Sequence, residues 1–154
     1  MLAPTRELAI QVEESFRDYG KHLPLRTAIV YGGSDMNAQI QALRKGVEIL
    51  VATPGRLLDH VHNKTVMFNQ VSVLILDEAD RMLDMGFLPD IKRIIALLPP
   101  VRQNLLFSAT FPDEIRNLTK TLLKNPAEVQ VAARNAAAEG VTHIVHPVAR
   151  EKKR

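Results

Sequence analysis

Residues Leu74–Leu83 have the sequence LILDEADRML, in which an apolar run leads directly into acidic side chains. The acids are Asp77, Glu78 and Asp80. A short, continuous apolar run is typical of a strand buried on both faces of a parallel sheet. Carboxylates at the end of such a strand either cap the helix that follows or hold a cation such as Mg²⁺. For an isolated Asp-Glu pair both interpretations are open.

Further short apolar segments along the chain are also predicted to be strands. Together with residues 72–77, the predicted strands are 25–31, 48–53, 104–108 and 127–133. Apolar residues at helical spacing predict helices between them, over residues 7–19, 89–98 and 113–123. Strands that alternate with helices predict an α/β fold, with a parallel sheet flanked by helices.

Composition limits the classes of protein that the chain can represent. It has 154 residues, 46% of them hydrophobic, which is enough for the core of one domain. It has no Cys, which excludes disulfides and thiolate metal sites. No apolar run approaches the roughly 20 residues that span a bilayer, so we expect a cytoplasmic protein with no membrane partner.

The net charge does not by itself indicate nucleic-acid binding. The whole chain has 20 basic and 17 acidic residues, for a net charge of +3. The last five residues, REKKR, contribute four basic and one acidic, so the remainder has 16 of each. Any site for nucleic acid must therefore come from local groups and not from bulk charge.

Polar or glycine-rich residues follow five of the apolar segments. In open parallel sheets, ligands bind beyond the carboxyl ends of the strands, which share one edge. The segments expected at that edge are PTRE after MLA, GG after AIVY, TPGR after ILVA, DEAD after LIL and SAT after LLF. Helix starts offer free backbone N–H groups to phosphate, and Arg6 and Arg56 add charge. Taken singly, PTRE, TPGR and SAT are better explained as structural turns or helix caps, and GG fits either interpretation. Five such segments at one edge indicate a site.

Two further groups of side chains are candidates for a functional role. If strand 104–108 lies beside 72–77, Ser108 and Thr110 come within reach of Asp80. His143 and His146 form an H-x-x-H pair. On a strand this spacing places the two rings on opposite faces, so no metal site is expected there.

The ordered set PTREL, GG, TPGR, DEAD and SAT resembles the first RecA-like domain of DEAD-box ATP-dependent RNA helicases, which are P-loop NTPases in fold. DEADRMLDMGF and RQNLLFSATFP are most similar to the bacterial branch, closest to the RhlE type. The resemblance covers residues 1–148. It implies that Asp77 holds Mg²⁺ through water and that Glu78 positions the hydrolytic water. It also implies that Asp80, with Ser108 and Thr110, couples ATP hydrolysis to domain closure.

The same resemblance implies an RNA surface that follows the sugar–phosphate backbone and is independent of base sequence. The residues implied to lie along it are Pro4, Thr5, Arg6, Gly33, Thr53, Gly55 and Arg56.

The sequence departs from the family pattern in one respect. No G-x-x-x-x-G-K-[ST] phosphate loop occurs in it. On the resemblance, residues 1–133 are a partial ATP-binding domain truncated at its N-terminus, 134–140 an interdomain linker, and 141–154 the start of a second helicase domain. The phosphate-loop strand is expected inside the sheet, so its absence would leave two unpaired strand edges there.

Two function classes follow. The first is part of an ATP-dependent RNA helicase that uses ATP and Mg²⁺, with the isolated chain inactive. The alternative is a non-catalytic module that binds the RNA backbone or a protein partner.

Overall fold

The computed structural model describes residues 1–131. Its helices are α1 Arg6–Tyr19, α2 Met36–Arg44, α3 Pro54–His62, α4 Ala79–Asp84, α5 Leu88–Leu97 and α6 Asp113–Leu122. Its strands are β1 Thr27–Val30, β2 Ile49–Ala52, β3 Val73–Leu76 and β4 Gln103–Leu106. The predicted linker 134–140, the segment 141–154 and the pair His143 and His146 lie outside the described residues.

Most of the predicted elements are present, with ends shifted by one or two residues. The predicted strand over 127–133 is wrong where it is described, because residues 127–131 form no strand. Helix α2 was not predicted. Its sequence, MNAQIQALR, is short and polar, and Asp35 caps it by accepting hydrogen bonds from the N–H groups of Asn37 and Ala38. Met36, Ile40 and Leu43 also recur at helical spacing and are partly buried, so the sequence carried both a cap and a short apolar face that were missed.

The strands form a parallel sheet whose two halves meet at the first residues of the chain. β1 pairs with β2 and β3 pairs with β4, both in parallel. Leu2 forms parallel bridges to Ala52 at the end of β2 and to Leu76 at the end of β3. The spatial order is therefore β1, β2, the Leu2 segment (residues 1–3), β3 and β4.

Hydrogen bonds on both sides of the Leu2 segment make this join. The Leu2 N–H donates to the carbonyl of Ile75 at 2.8 Å, and the Leu2 carbonyl accepts from the Asp77 N–H at 3.1 Å. On the other side, the Ala3 N–H donates to the carbonyl of Ala52 at 3.0 Å. These three residues thus pair with both neighbouring strands, as a full strand in that position would.

The expected gap left by a phosphate-loop strand stays a prediction. Among the described strands, the Leu2 segment occupies the position between β2 and β3. The edges of the described sheet are β1 and β4. Sequence reasoning treated MLA as a remnant, because three residues are too few to show a strand pattern.

Both faces of the sheet are covered, as the near-continuous apolar strands predict. Leu2 enters a large core with side chains from α3, α4, α5 and α6, whereas Ala3 enters a smaller one beneath α1. The residues with the largest fully buried side chains include Leu2, Leu76, Met82, Ile91, Ile94 and Ile115. Within residues 1–131, no helix combines the length and apolarity needed to cross a membrane.

Leu2→Ala should lower the free energy of unfolding by about 2–5 kcal/mol, since truncating a buried Leu removes apolar contacts and leaves a cavity. Leu2 is 1% exposed and lies at the join of both halves. A domain is stable by only about 5–15 kcal/mol, so the loss is large. The measurement is chemical denaturation at fixed pH.

The control is Met67→Ala, because Met67 is also large and apolar but is 82% exposed. Its free energy of unfolding should change by no more than about 0.5 kcal/mol. Equal losses for both variants would show that the Leu2 segment does not hold the sheet together.

Candidate functional site

The five polar segments lie at one edge of the sheet. Each strand pairing is parallel, so the carboxyl ends of the strands point the same way. Along this edge, called the rim from here on, the order is GG (32–33), TPGR (53–56), PTRE (4–7), DEAD (77–80) and SAT (108–110). The order in space differs from the order in sequence. It groups the three segments expected to bind RNA on one side and the two expected to serve hydrolysis on the other.

Asp77 follows β3 directly, and its backbone is held by the Leu2 segment. Its Oδ1 accepts a hydrogen bond from the Glu78 N–H at 3.0 Å. Burial raises the pKa of Asp77, and the nearby charge of Glu78 adds to this, while the hydrogen bond from the Glu78 N–H opposes it. Among the described residues no basic side chain forms an ion pair with Asp77. A partly desolvated carboxylate without a basic partner is suited to a cation.

The rim offers that cation few protein ligands. Within residues 1–131 no three His, Asp or Glu side chains are grouped as a metal cluster. A cation at Asp77 would therefore keep most of its water, which is how Mg²⁺ is usually held. The residues present fit Mg²⁺ bound through water.

Glu78 has an uncommon backbone conformation. It lies in the left-handed region, with φ 47° and ψ 52°, where β3 turns into α4. For a residue with a side chain this conformation costs about 1–2 kcal/mol. The Glu78 carboxylate is paired with the guanidinium of Arg81 at 3.0 Å and is partly exposed. Strain of this kind tends to occur at functional positions.

Asp80 connects the ends of β3 and β4, as the predicted pairing requires. Its Oδ2 accepts hydrogen bonds from the Thr110 N–H at 2.9 Å and from the Thr110 hydroxyl at 2.8 Å. Its N–H donates to Ser108 Oγ at 3.2 Å, and that hydroxyl donates to the Thr110 carbonyl at 2.7 Å. Burial alone would raise the pKa of Asp80, but the hydrogen bonds from Thr110 and the Arg81 N–H outweigh it and lower the pKa. Asp80 is therefore held as an anion.

The PTRE segment opens α1 at the centre of the rim. Thr5 caps the helix, its Oγ1 accepting from the Leu8 N–H at 3.2 Å. The Arg6 side chain is 54% exposed and pairs only with its neighbour Glu7, at 3.3 Å. Pro4 departs from its expected role, because its side chain is fully buried and cannot contact a ligand. It shapes the turn into α1 instead.

Two glycines leave the backbone open on the other side of the rim. Gly33 has φ +78°, and no atom lies within 4 Å of where a Cβ would be; the same open space surrounds Gly55. Gly55 is in the first turn of α3, whose N-cap Thr53 makes no side-chain capping bond. The backbone of both glycines is therefore accessible to a close ligand.

Arg56 differs most from the sequence-based expectation. Its side chain is only 14% exposed, and its Nη1 donates to the Ser34 carbonyl at 3.1 Å and to Gln39 Oε1 at 3.3 Å. Its Nε also lies 3.6 Å from Asp59 Oδ2. Arg56 is thus committed to protein partners and fixes the loop of residues 31–34. Sequence reasoning also missed Gln39 and His60, which are buried together in this region.

The fold and the rim define an α/β domain of the helicase type, and comparison with known proteins identifies the family. Residues 1–118 match the DEAD/DEAH box helicase family. The chain is 44% identical to the DEAD-box ATP-dependent RNA helicase CshA of Bacillus cereus over 153 residues, which is 99% of this chain. It is 43% identical to the ATP-dependent RNA helicase DBP2 of Scheffersomyces stipitis over 155 residues, covering all of this chain.

A solved structure gives the same result. The crystal structure of a hypothetical ATP-dependent RNA helicase from Sulfolobus tokodaii matches with a TM-score of 0.77 and 44% identity over 80% of this chain. The chain belongs to the DEAD/DEAH box helicase family, and the predicted RecA-like class is confirmed. It spans 29% of the length of the CshA and DBP2 relatives and 37% of the solved chain.

The free energy of unfolding should be about 0.5–1 kcal/mol larger for Glu78→Gly than for Glu78→Ala. Both variants lose the carboxylate and the pair with Arg81, but only Gly relieves the left-handed strain. The gain is smaller than the strain because Gly also makes the unfolded chain more flexible. The measurement is chemical denaturation of both variants under identical conditions. An Ala variant as stable as the Gly variant would show that the backbone at Glu78 is not strained.

Proposed function

We propose that this chain supplies the hydrolysis acids and part of the RNA-backbone surface of an ATP-dependent RNA helicase that unwinds or remodels RNA. The observation that carries the proposal is the rim order. Two helix starts and the exposed Gly33 lie next to two segments of acids and hydroxyls, and the Leu2 segment joins the two sets.

The acidic side of the rim suits phosphoryl transfer from ATP. Asp77 would hold Mg²⁺ through water, and the bound ion would neutralise charge on the phosphates. Glu78 is the neighbouring carboxylate, and it is proposed to orient the attacking water. Since the side chain of Glu78 is paired with Arg81 in this structure, that role requires the carboxylate to turn from Arg81 towards the water.

Asp80 is proposed to link this chemistry to the end of β4. Two hydrogen bonds from Thr110 and one to Ser108 hold residues 108–110 against the start of α4. A movement of α4 when the phosphate bond breaks would therefore be transmitted to this segment. That connection supports a role in coupling hydrolysis to domain closure.

The other side of the rim suits an RNA backbone. The starts of α1 and α3 present N–H groups and positive helix dipoles, which favour phosphate. The open positions at Gly33 and Gly55 allow a phosphate to approach the chain closely. Arg6 supplies exposed charge, while Thr5 and Thr53 begin the two helices. These groups recognise phosphate and sugar, so binding should be independent of base sequence.

We also propose a cytoplasmic location, on the absence of Cys and on RNA as the proposed ligand. The RhlE type stays a prediction, because relatives of near-equal identity include both bacterial and fungal helicases.

A polypeptide of these 154 residues should hydrolyse ATP no faster than buffer, with or without RNA. The sequence contains no phosphate loop, whose backbone N–H groups and Lys carry much of the charge stabilisation. The measurement is phosphate release at saturating ATP and Mg²⁺. RNA-stimulated release that Glu78→Gln abolishes would contradict the expectation and place the whole reaction in this chain.

RNA binding by the same polypeptide should be weak, tolerant of sequence and steeply dependent on salt. Arg6→Ala should weaken binding to all RNAs alike. It should also make the slope of log binding constant against log salt concentration less steep by about 1, the expected result of losing one phosphate contact. The measurement is fluorescence anisotropy with labelled oligouridylate and oligoadenylate over a range of salt.

Arg17→Ala is the matched control. Arg17 is on the same helix, pairs with Glu13 and is 64% exposed, but lies about 16 Å further along α1 from the rim. It should leave binding unchanged. A strong preference for one RNA at fixed salt, or equal losses in both variants, would rule out the proposed RNA surface.

A further inference from the structure

A buried hydrogen-bonded group lies behind the RNA side of the rim. His60 on α3 is 0% exposed and Gln39 on α2 is 7% exposed. His60 Nε2 lies 3.0 Å from Gln39 Oε1, and His60 Nδ1 lies 2.8 Å from the hydroxyl of Thr65. Buried polar groups of this kind are costly unless they are satisfied, so the partners of each atom can be traced.

The bonds made by Gln39 fix which atoms accept and which donate. Its Nε2 donates to the Tyr31 carbonyl at 3.0 Å and also to the Ser34 hydroxyl. Its Oε1 is then the acceptor, and it faces Arg56 Nη1 and His60 Nε2. Tyr31 and Ser34 flank Gly32 and Gly33, so Gln39 is hydrogen-bonded to both ends of the glycine loop.

The proton on His60 follows from these partners. Because Gln39 Oε1 can only accept, His60 Nε2 must carry a hydrogen. Burial lowers the pKa of His60, as does the charge of Arg56, while Asp59 opposes them. The Thr65 hydroxyl lies 2.8 Å from His60 Nδ1 and 2.9 Å from the His60 carbonyl, and it has one proton to donate. With the neutral ring protonated on Nε2, Nδ1 is an acceptor, so the hydroxyl donates to Nδ1 and not to that carbonyl. His60 is then a donor towards Gln39.

This group links two parts of the rim that, within residues 1–131, are joined by one backbone hydrogen bond outside the β1–β2 ladder. The Thr53 N–H donates to the Val30 carbonyl at 3.0 Å, which links the start of α3 to the end of β1. Beyond that bond, the position of residues 31–34 relative to α3 depends on side chains. Arg56 holds the Ser34 carbonyl, and Gln39, supported by His60, holds Tyr31 and Ser34.

We propose that His60 is a positioning residue which, through Gln39, fixes the glycine loop of residues 31–34 against the start of α3. The backbone at Gly33 and at Gly55 is thereby presented to the same RNA. This role rests on the proposed function, because it concerns the RNA side of the rim. It assigns RNA affinity to a side chain that has no access to the RNA.

Two substitutions of His60 separate the contact with Gln39 from simple filling of the core. His60→Gln places an amide donor near the position of Nε2 and keeps the contact with Gln39. His60→Asn places its amide near the position of Nδ1, so it keeps the contact with Thr65 but does not reach Gln39. The readout is the dissociation constant of labelled oligouridylate at fixed salt, measured on the full chain, with thermal unfolding of each variant measured alongside.

His60→Asn should bind RNA roughly five- to tenfold more weakly, the effect of losing about one buried hydrogen bond that holds the loop. His60→Gln should bind within about twofold of wild type. Gln39→Met should lose at least as much affinity as His60→Asn, since it removes the bonds of Gln39 to Tyr31 and Ser34 as well as the contact with His60, without changing α3. Adding His60→Asn to Gln39→Met should then cause no further loss, because the two residues act as one unit.

Several results would overturn the inference. The inference is wrong if His60→Asn folds and binds RNA as wild type does, if His60→Gln loses as much RNA affinity as His60→Asn, or if the two losses add in the double variant. If His60→Asn does not fold, the RNA affinity of Gln39→Met tests the inference. If neither variant folds, the His60–Gln39 contact only stabilises the core and the inference is wrong. Wild-type chain that binds no RNA would instead refute the proposed function, and this role with it.

Discussion

The Leu2 segment is the constraint on which the rest of the structure depends. It accepts and donates backbone hydrogen bonds on both sides, so the β1–β2 and β3–β4 pairs become one sheet. Because all pairings are parallel, joining the pairs also aligns their carboxyl ends. The Leu2 carbonyl holds the Asp77 N–H at 3.1 Å, and Thr5 and Arg6 follow three and four residues later. The first candidate RNA residues and the first acid are therefore fixed by the same short stretch of backbone.

Neighbouring carboxylates on the rim have opposite electrostatic environments. Burial raises the pKa of Asp77, whereas hydrogen bonds from Thr110 and the Arg81 N–H lower that of Asp80. The environment of each group, not its residue type, sets this difference. Asp80 already has its partners within the protein, while Asp77 has none among basic side chains of the described residues. The arrangement separates a structural acid from one that is available to a cation.

Sequence reasoning succeeded where information is local or where a parallel sheet fixes the geometry. Apolar runs located β1 to β4, and their shared polarity placed five segments at one rim. It failed where tertiary contacts decide. Residues 127–131 have strand-like composition but form no strand, and the three residues at Leu2 are too few for a strand pattern. Arg56 was expected to lie along the RNA backbone, but its guanidinium is bound to Ser34 and Gln39, which are 22 and 17 residues away in the sequence and could not be foreseen as partners.

If the rim binds RNA as proposed, its charges require phosphate recognition to rely on the backbone. The first 149 residues have equal numbers of basic and acidic groups, so no long-range field attracts RNA to them. Asp77, Glu78 and Asp80 lie at the same edge as the candidate RNA residues and would repel phosphates within a Debye length, about 8–10 Å. Oriented N–H groups at the starts of α1 and α3 act only at contact distance. These N–H groups can stabilise a phosphate that is already in contact with them, despite the acids nearby. For this, the loops that carry the N–H groups must be held in place. That requirement gives the buried contact between His60 and Gln39 a consequence at the surface, since a displaced glycine loop would lose N–H contacts that no bulk charge replaces.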